Sequence, residues 1–400
     1  MGPLDGVKVI ELTHEHVAWA GKLVADLGAD VVVVEPPGGS VQRSYGPFLD
    51  DVPGPERSLW WWHYNTSKRS VVADLAADRE RLLALISDAD VLIEGEVPGS
   101  LAEIGLDGDA LQAVNPRLII VSITPFGSTS ERAHEPVTDL TLMAGAGPVW
   151  SCGYDDHSLP PVRGGGNQAS HTAGNWAVMA LLVALLAREE TGVGQRIDVS
   201  VYAALNVTTE MASYGWLACE WEVQRQTGRH ATPVITPPVQ VRCRDGKYAT
   251  TGVPPRAPAE YAKLLDLLDR LGLRDEFPSS VILQLGAERE SLSFADIETD
   301  PMVAEIFSAA REVMWFLAEH LDAYDFFAET QGIGIATGVI YTPGEAIADP
   351  HVVARGFPVA IEHPEVDRTF TYPGAPYRLT VTPWSARRAP LLGEHQELLG

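Results

Sequence analysis

The sequence predicts an α/β fold built on an open, Rossmann-like parallel sheet. Two observations carry this prediction. Residues 7–12 form a strand pattern, a helical segment follows to about Leu27, and a turn leads into a second strand, which makes a βαβ unit within about thirty residues. That second strand contains Val31–Val34, an unbroken β-branched run typical of a strand covered on both faces. The same alternation recurs as far as residue 122, so we expect ligands at the carboxyl ends of the strands.

The remaining elements of the first half follow from hydrophobic runs and the residues that interrupt them. Strands are expected at 70–72, 90–93, 118–122 and 196–201, and helices at 78–86, 106–114, 172–190 and 202–222. Gly192 ends the longest helix, because glycine readily takes the left-handed conformation of a helix cap. The apolar run Trp176–Ala187 in this helix is too short to span a bilayer and predicts a buried helix.

A change of composition near Gln224 predicts a second domain. Residues 225–260 are rich in Pro and Gly, a short strand is expected at 247–250, and helices are expected at 259–271 and 304–320. From Gly338 the chain returns to strand-like runs. We therefore expect three segments: a first part of a large domain (1–223), a smaller α+β domain (224–334), and a C-terminal return to the large domain (335–400).

Charge and cysteine content narrow the class of protein. The 400 residues carry a net charge of −25, which argues against nucleic acid and anionic membranes as partners. An anionic cofactor stays compatible with this charge, because a few local cations can hold a phosphate. The three cysteines are widely spaced and predict neither disulfides nor a metal site, which together with the absence of a signal-peptide pattern favours the cytoplasm.

Eight spaced motifs in this chain resemble those of the family III CoA-transferases, the CaiB/BaiF family. They are Leu4–Leu12, Ala25–Val31 with Glu35–Gly38, Asn65–Ser70, Ala89–Glu94 with Pro98–Gly99, Asn115–Ile119, Arg188–Gln195, Asp349–Phe357 and Pro390–His395. The resemblance covers nearly the whole chain. It implies a large domain built from both chain ends, an inserted small domain, and two subunits threaded through each other as an interlocked homodimer. It also implies an acyl-CoA and a small carboxylic acid as substrates, with coenzyme A as the carried group and no metal.

The resemblance also locates the expected nucleophile, and this chain departs from the family there. An aspartate just before the long helix attacks the acyl-CoA thioester in these transferases, but the matching position here is Ser170, followed by His171. A serine cannot form a mixed anhydride, and it can be acylated only if a base takes its proton. Four interpretations stay open: Ser170 as an acylated nucleophile, His171 as an acid or base, an acid supplied from elsewhere, or loss of transfer chemistry.

The racemases of the same superfamily offer a second comparison. They move an α-proton of an acyl-CoA between a histidine and an aspartate, and the histidine's place is taken here by Thr138. Asp139 is retained, as a catalytic acid or as a structural acid at a helix start. The alternatives to transfer are therefore an acyl-CoA racemase, isomerase, lyase or hydrolase that uses His171 with Asp139 or Glu210, or a catalytically silent CoA-binding protein.

The resemblance further implies a set of CoA contacts. They are His16, Arg43, Tyr64, Lys68, Arg69, Gly95 and Glu96. The three basic residues suit CoA phosphates, which bind cations well. Glu96 would repel a phosphate placed beside it. The sequence as a whole predicts a cytoplasmic CoA-transferase with a nonstandard site.

Overall fold

The computed structural model describes residues 1–209, 211–252 and 255–400. The chain divides into two compact units. The large unit contains residues 1–226, 231–234 and 349–400, and the small unit contains residues 227–230 and 235–348.

The large unit is organised around a six-stranded parallel sheet. Its strands are β1 (Lys8–Leu12), β2 (Asp30–Glu35), β3 (Arg69–Val72), β4 (Val91–Glu94), β5 (Ile119–Thr124) and β6 (Arg196–Ser200). Their order is β3-β2-β1-β4-β5-β6, and every neighbouring pair runs parallel. The direction of winding reverses between β1 and β4, so the crevice outside the carboxyl ends of these two strands is the expected ligand site. The predicted open parallel sheet is confirmed.

Helices cover both faces of this sheet. They are α1 (Ala18–Asp26), α2 (Leu59–Tyr64), α3 (Arg79–Ser87), α4 (Ser100–Glu103), α5 (Gly108–Val114), α6 (Asp139–Gly145), α7 (Gln168–Thr191), α8 (Val201–Val207) and α9 (Met211–Cys219). Successive side chains of β2 enter opposite cores, Val31 the core with α1 and α7 and Val32 the core with α3 and α5. The valine run of this strand is therefore buried on both faces, as the sequence predicts.

The long helix α7 differs from its predicted form in burial. Gly192 ends it with φ 75°. One face packs in the core, whereas Trp176, Met179, Val183 and Leu186 on another face are 42–72% exposed. The prediction of a buried helix was wrong for that face, because the apolar run is wide enough to reach beyond the core. By length and composition α7 could cross a membrane, with 44% of its apolar window buried inside the protein.

The prediction of a single helix over 202–222 was also wrong, since two shorter helices, α8 and α9, occupy that stretch. The hydroxyls of Thr208 and Thr209 donate to the carbonyls of Leu205 and Asn206, at 2.7 Å each. Threonine hydroxyls that bond nearby carbonyls in this way compete with the helical ladder.

The C-terminal segment of the large unit returns to the sheet region. It contains α15 (Pro350–Ala354) and an antiparallel hairpin, β10 (Pro358–His363) and β11 (Arg368–Pro373). The backbone N–H of His395 donates to the carbonyl of Ser70 in β3 at 2.9 Å. Residues from both ends of the chain therefore build this unit.

The small unit combines a three-stranded antiparallel sheet with helices. Its elements are β7 (Gln240–Arg242), β8 (Tyr248–Thr250), α10 (Pro258–Leu271), α11 (Ser280–Ala287), α12 (Pro301–His320), α13 (Ala323–Gly332), β9 (Gly338–Val339) and α14 (Pro343–Ala348). Residues 335–348, assigned from the sequence to the C-terminal return, belong to this unit, since β9 pairs with β8.

Candidate active site

Three segments of the large unit meet at the carboxyl edge of its sheet. The loop after β1 carries His14 and His16, the loop after β4 begins at Gly95, and the first turn of α7 carries Ser170 and His171. A Cβ at position 95 would lie only 2.9 Å from His14 Nδ1, so this close approach of two loops requires glycine. The predicted site residues of these segments therefore lie at the crevice that the topology favours.

A tight crossing of α1 and α7 brings the segments together. A Cβ at Gly174 would lie 2.8 Å from Trp19 Cδ1 and 3.2 Å from the backbone nitrogen of Ala20. The glycine thus allows the two helices to approach closely, and it sets the distance between the first turn of α7 and the loop after β1.

Ser170 is hydrogen-bonded to His16. The serine Oγ lies 3.2 Å from His16 Nδ1, and both residues are buried, at 6% and 3% exposure. Burial, and then the neighbouring His14, lower the pKa of His16 to about 4, despite an opposing contribution from Asp139. The imidazole is therefore neutral near pH 7 and has a lone pair available to accept a proton.

His171 has a different set of partners from its neighbour Ser170. Its Nε2 lies 2.8 Å from the hydroxyl of Tyr64, and that hydroxyl also accepts from Asn167 Nδ2 at 3.1 Å. The ring packs on Trp19 with 4.2 Å between centroids. Burial lowers the pKa of His171 and raises that of Tyr64. The partner of Ser170 is thus His16, which the sequence suggested only as a CoA contact.

Asp139 anchors the start of α7. It is the first residue of α6, one oxygen accepts from the backbone N–H of Ala169 at 3.1 Å, and the other accepts from Arg163 Nε at 2.9 Å. These contacts agree with the structural alternative for this acid. Its negative charge also opposes the lowering of the pKa values of His16 and His171.

Arg43 is buried at 2% exposure inside an ion-pair network. Its guanidinium donates two hydrogen bonds to Glu35, at 2.6 and 2.8 Å, and one to Glu56 at 3.0 Å. It also stacks on Trp61 at 3.8 Å from the ring centroid. The geometry gives Arg43 a structural role in place of the predicted phosphate contact, because its charge is already matched.

Lys68 is likewise fully buried. Its ammonium lies 2.7 Å from Glu11 Oε2 and donates to Asn65 Oδ1 at 2.9 Å and to the Ala18 carbonyl at 3.0 Å. An ammonium has three donors, so these partners take all of them. Burial lowers the pKa of Lys68 and raises that of Glu11. Lys68 therefore holds α1 and α2 to the sheet instead of presenting a cation to CoA.

Arg69 lies at the other edge of the sheet. It begins β3 and pairs with Asp30, the first residue of β2, at 3.0 Å. Together with Lys8 it lines a separate cavity of about 400 Å³. The amino ends of the strands, not the carboxyl ends, form this region, so Arg69 is not near the crevice that holds Ser170.

A cavity of about 520 Å³ lies beside the carboxyl ends of β1, β2 and β3. Leu12, Val34, Ala73 and Glu96 are among the residues that line it. Burial raises the pKa of Glu96. The cavity is large enough for part of CoA, but among its described lining residues there is no Lys or Arg, so CoA fits the residues in part.

A larger, mainly apolar cavity of about 900 Å³ is lined by α1, α7 and the C-terminal segment. Trp19 of α1, Val178 of α7, and Tyr377 and Trp384 of the C-terminal segment are among its lining residues. His171 also lines it, so the cavity adjoins the hydrogen-bonded pair of His171 and Tyr64.

Two further expectations concern metals and Glu210. Within residues 1–209, 211–252 and 255–400, no group of three or more His, Cys, Asp or Glu side chains is arranged to hold a metal ion. Glu210, the alternative partner of His171, lies outside the described residues.

Sequence reasoning missed one acid near the site. Glu15 stands between His14 and His16, and its pKa is raised by burial, against a hydrogen bond to Tyr45, with a further contribution from the charge of Asp139. The His-Glu-His run directly after a strand was the available signal.

The fold and the site together define an open α/β enzyme with a ligand crevice at the switch point of its sheet. The family model for CoA-transferase family III matches residues 4–396, and the chain belongs to this family. The resemblance identified from the sequence motifs is thereby confirmed.

Individual relatives agree with this assignment. The chain is 31% identical to the succinyl-CoA:(R)-benzylsuccinate CoA-transferase subunit BbsE of Thauera aromatica, over 97% of this chain and 91% of the relative. It is also 31% identical to the succinate–glutarate CoA-transferase of Agrobacterium fabrum, over 98% and 94%. A crystal structure of a CAIB/BAIF family protein from Brucella suis superposes with a TM-score of 0.79 at 29% identity, covering 99% and 98% of the two chains.

Proposed function

We propose that this protein is a CoA-transferase that moves CoA from an acyl-CoA to a carboxylic acid. The observation that carries the proposal is the family match over residues 4–396, together with full-length relatives that are named as CoA-transferases. The site supports it with a buried hydroxyl and neutral imidazoles at the switch point of the sheet, where ligands bind in folds of this kind.

In this proposal CoA occupies the crevice between the loops after β1 and β4. The 520 Å³ cavity takes the nucleotide end, beside Gly95 and Glu96, and the thioester reaches the first turn of α7. Tyr64 and His16 face the thioester, not the phosphates, since both contact residues of that turn. Arg43, Lys68 and Arg69 are left out of the phosphate contacts, because their contacts place them in buried ion pairs or at the amino edge.

The 900 Å³ cavity is the proposed space for the apolar part of an acyl group or acceptor acid. His171 lines it, together with apolar side chains of α1, α7 and the C-terminal segment. Apolar cavities of this size bury small organic ligands, and a few polar groups on the cavity wall orient the ligand. His171 and Asn175 supply polar groups on its wall.

We further propose the interlocked homodimer, with the small domain (residues 227–230 and 235–348) inserted in the large one and the protein acting in the cytoplasm. The dimer is supported by the exposed apolar face of α7 and by Tyr214, Trp216 and Leu217 on α9, which are 53–84% exposed. Apolar surface of this extent commonly marks a protein contact.

A second candidate is a CoA-binding subunit that is itself catalytically silent. Two observations favour it: position 170 lacks a carboxylate, and the relative from Thauera aromatica is named as a subunit. Such a chain would bind CoA but would need another chain to transfer it.

Exchange of CoA between an acyl-CoA and a panel of isotopically labelled carboxylic acids tests the proposal. Mass spectrometry should detect a new labelled acyl-CoA for at least one acid. The absence of any labelled thioester across a broad panel, with CoA still raising the melting temperature, would reject transfer in favour of the silent subunit.

A further inference from the structure

Position 170 combines a buried serine with a neutral imidazole at hydrogen-bond distance. We propose that Ser170 and His16 act as a nucleophile and general base that hydrolyse acyl-CoA through an acyl-Ser170 ester, as an activity additional to CoA transfer. The inference rests on the proposed function in one respect only, which is that an acyl-CoA binds at this site.

The geometry meets the requirement for activating a serine. A hydroxyl is a weak nucleophile unless a base lies within hydrogen-bond reach, and His16 Nδ1 is 3.2 Å from Ser170 Oγ. With its proton on Nε2, the imidazole offers the Nδ1 lone pair to the hydroxyl. The backbone N–H of His16 donates to His14 Nδ1 at 3.2 Å, which orients the loop that carries the base.

The charge that develops on His16 during the reaction is disfavoured overall, and one neighbouring carboxylate reduces that cost. When His16 takes the serine proton it becomes an imidazolium, which burial and His14 disfavour. The carboxylate of Asp139 opposes that cost, and its bonds to Arg163 and Ala169 keep it in place. His171 is unsuited to the same role, because its Nε2 is engaged by Tyr64.

The steps balance without any reagent beyond water. Ser170 Oγ attacks the thioester carbon while His16 accepts the hydroxyl proton. The C–S bond then breaks, and the CoA thiolate takes that proton and leaves as the free thiol. Water attacks the acyl-serine ester, His16 accepts a proton from the water, and the C–O bond to Ser170 breaks. The proton returns to the serine, and the carboxylic acid leaves.

The chemistry of the ester explains why water is the favoured second substrate. A carboxylate that attacks an ester must form an anhydride, which is a more activated acyl group than the ester it replaces. Water forms a free acid, which is less activated. An acyl group bound to Ser170 is therefore hydrolysed by water more readily than it is transferred to an acceptor acid.

Single-turnover incubation of the full chain with an acyl-CoA, without acceptor, tests the proposal. Chromatography should detect free CoA in an amount equal to the free acid plus the acyl adduct, and peptide mass spectrometry should locate that adduct on Ser170. S170A should abolish the adduct and hydrolysis, whereas S170C should keep an adduct, because a thiol can also be acylated. H16Q should slow acylation by about 100-fold, the lower range for a lost general base.

Two surface substitutions serve as matched controls. Ser87 is exposed, and its recorded side-chain hydrogen bond goes to the Ala84 carbonyl. His134 is also exposed. We therefore expect S87A and H134A to hydrolyse acyl-CoA at the wild-type rate. A CoA-induced rise in melting temperature checks that each variant is folded and binds CoA. Adduct mapping in the wild-type chain needs no variant at all.

The outcomes separate this inference from the proposed function. A wild-type chain that releases no free acid and carries no acyl adduct, or an S170A variant that hydrolyses normally, overturns the inference. An H16Q variant with an unchanged acylation rate removes His16 as the base. Labelled exchange without hydrolysis would leave the transferase proposal standing alone, and hydrolysis without exchange would leave only the inference.

Discussion

At the scale of single residues, the proposed chemistry depends on the serine at position 170. Its Oγ is a hydrogen-bond partner of His16, in a position where the family resemblance implies a carboxylate. A carboxylate nucleophile forms an anhydride with the acyl group, and CoA can return to that anhydride. The hydroxyl forms a more stable ester, which slows the return of CoA.

We expect Ser170→Asp to raise the rate of CoA exchange by at least about tenfold, because it restores a carboxylate beside intact neighbours. Labelled-acid exchange under identical acyl-CoA concentrations measures the change. Ser87→Asp adds the same charge on the exposed surface of α3 and should leave exchange unaltered. A folded Ser170→Asp variant that exchanges no faster than wild type would show that other parts of the site limit transfer.

His16 makes a second prediction at this scale, concerning stability and pH. Its pKa falls from 6.5 to about 4 on folding, so below pH 6.5 the unfolded chain binds a proton that the native chain does not. Stability is therefore lost as the pH falls from 6.5 towards 4, by about 1.4 kcal/mol for each pH unit.

Urea unfolding at about pH 7 and about pH 5 measures this loss. Replacement of His16 by Asn should reduce the difference in unfolding free energy between the two pH values by about 2 kcal/mol. His134→Asn, at an exposed position, is the matched control. An identical pH dependence in wild type and His16→Asn would contradict the assigned burial of a neutral imidazole.

The sequence located the important residues at this scale better than it assigned their partners. Ser170 could be recognised from its motif, but its bond to His16 joins residues 154 positions apart, and no local pattern reports such a pair. Arg43 and Lys68 looked like phosphate ligands, since a sequence displays a charge but not the buried carboxylate, Glu35 or Glu11, that neutralises it.

At the scale of elements, the crossing of α1 and α7 positions the site. Gly174 lies where a Cβ would meet Trp19 and the backbone of Ala20. We expect Gly174→Val to destabilise the protein by about 1–3 kcal/mol, because the helices must separate or distort to admit the side chain. Urea unfolding measures the change.

Met179→Val is the control for this substitution, since it adds a β-branched residue to the same helix at a position that is 52% exposed. It should cost less than about 1 kcal/mol, the range of helix propensity. Equal losses in the two variants would mean that the close helix contact at Gly174 contributes nothing to stability.

The apolar cavity along these helices makes a prediction about substrate size. Val178→Trp should fill part of the 900 Å³ space and weaken binding of acyl-CoAs with bulky apolar acyl groups by at least about tenfold, whereas acetyl-CoA should bind nearly as before. Calorimetric titration of wild type and variant gives both affinities. Val114→Trp, at an exposed position of α5, is the control. A parallel loss for acetyl-CoA would place the acyl group elsewhere.

Element prediction succeeded where local chemistry decides structure. The β-branched run of β2 and the glycine cap of α7 both carry their signal within a few residues. The division of 202–222 into α8 and α9 depends on hydroxyl-to-carbonyl bonds of Thr208 and Thr209, which compete with a helical pattern that the apolar residues alone would support. The helices that were not predicted are α2, α4, α6, α11, α13, α14 and α15.

At the scale of the whole molecule, exposed apolar surface is the main unexplained property of the single chain. Val183 and Leu186 of α7 are 65% and 72% exposed, although the chain carries a net charge of −25 that would suit a polar surface. Burial against a second subunit would remove this surface from water, which is the main driving force for such association.

We expect the double substitution Val183→Asp and Leu186→Asp to shift the protein from dimer towards monomer in sedimentation experiments. The reason is that buried, unpaired carboxylates oppose association strongly. Ser87→Asp, on exposed α3, should leave the sedimentation coefficient unchanged. A dimer that survives the double substitution undiminished would show that another surface mediates it.

The parallel sheet and the family could be predicted from the sequence, because repeated βαβ patterns and spaced motifs can be recognised from residues that are close together in the chain. The sequence could not predict which face of α7 stays uncovered, since burial depends on packing partners that are distant in sequence. The proposed site shares this property: His16, Tyr64 and Ser170 come from three separate segments of the chain.

A crystal structure with a bound, slowly reacting acyl-CoA analogue tests the central claim most directly. We expect CoA in the crevice outside β1 and β4, with its thioester carbon within about 3–3.5 Å of Ser170 Oγ. A thioester carbon that lies beside another group, with Ser170 out of reach, would contradict the account.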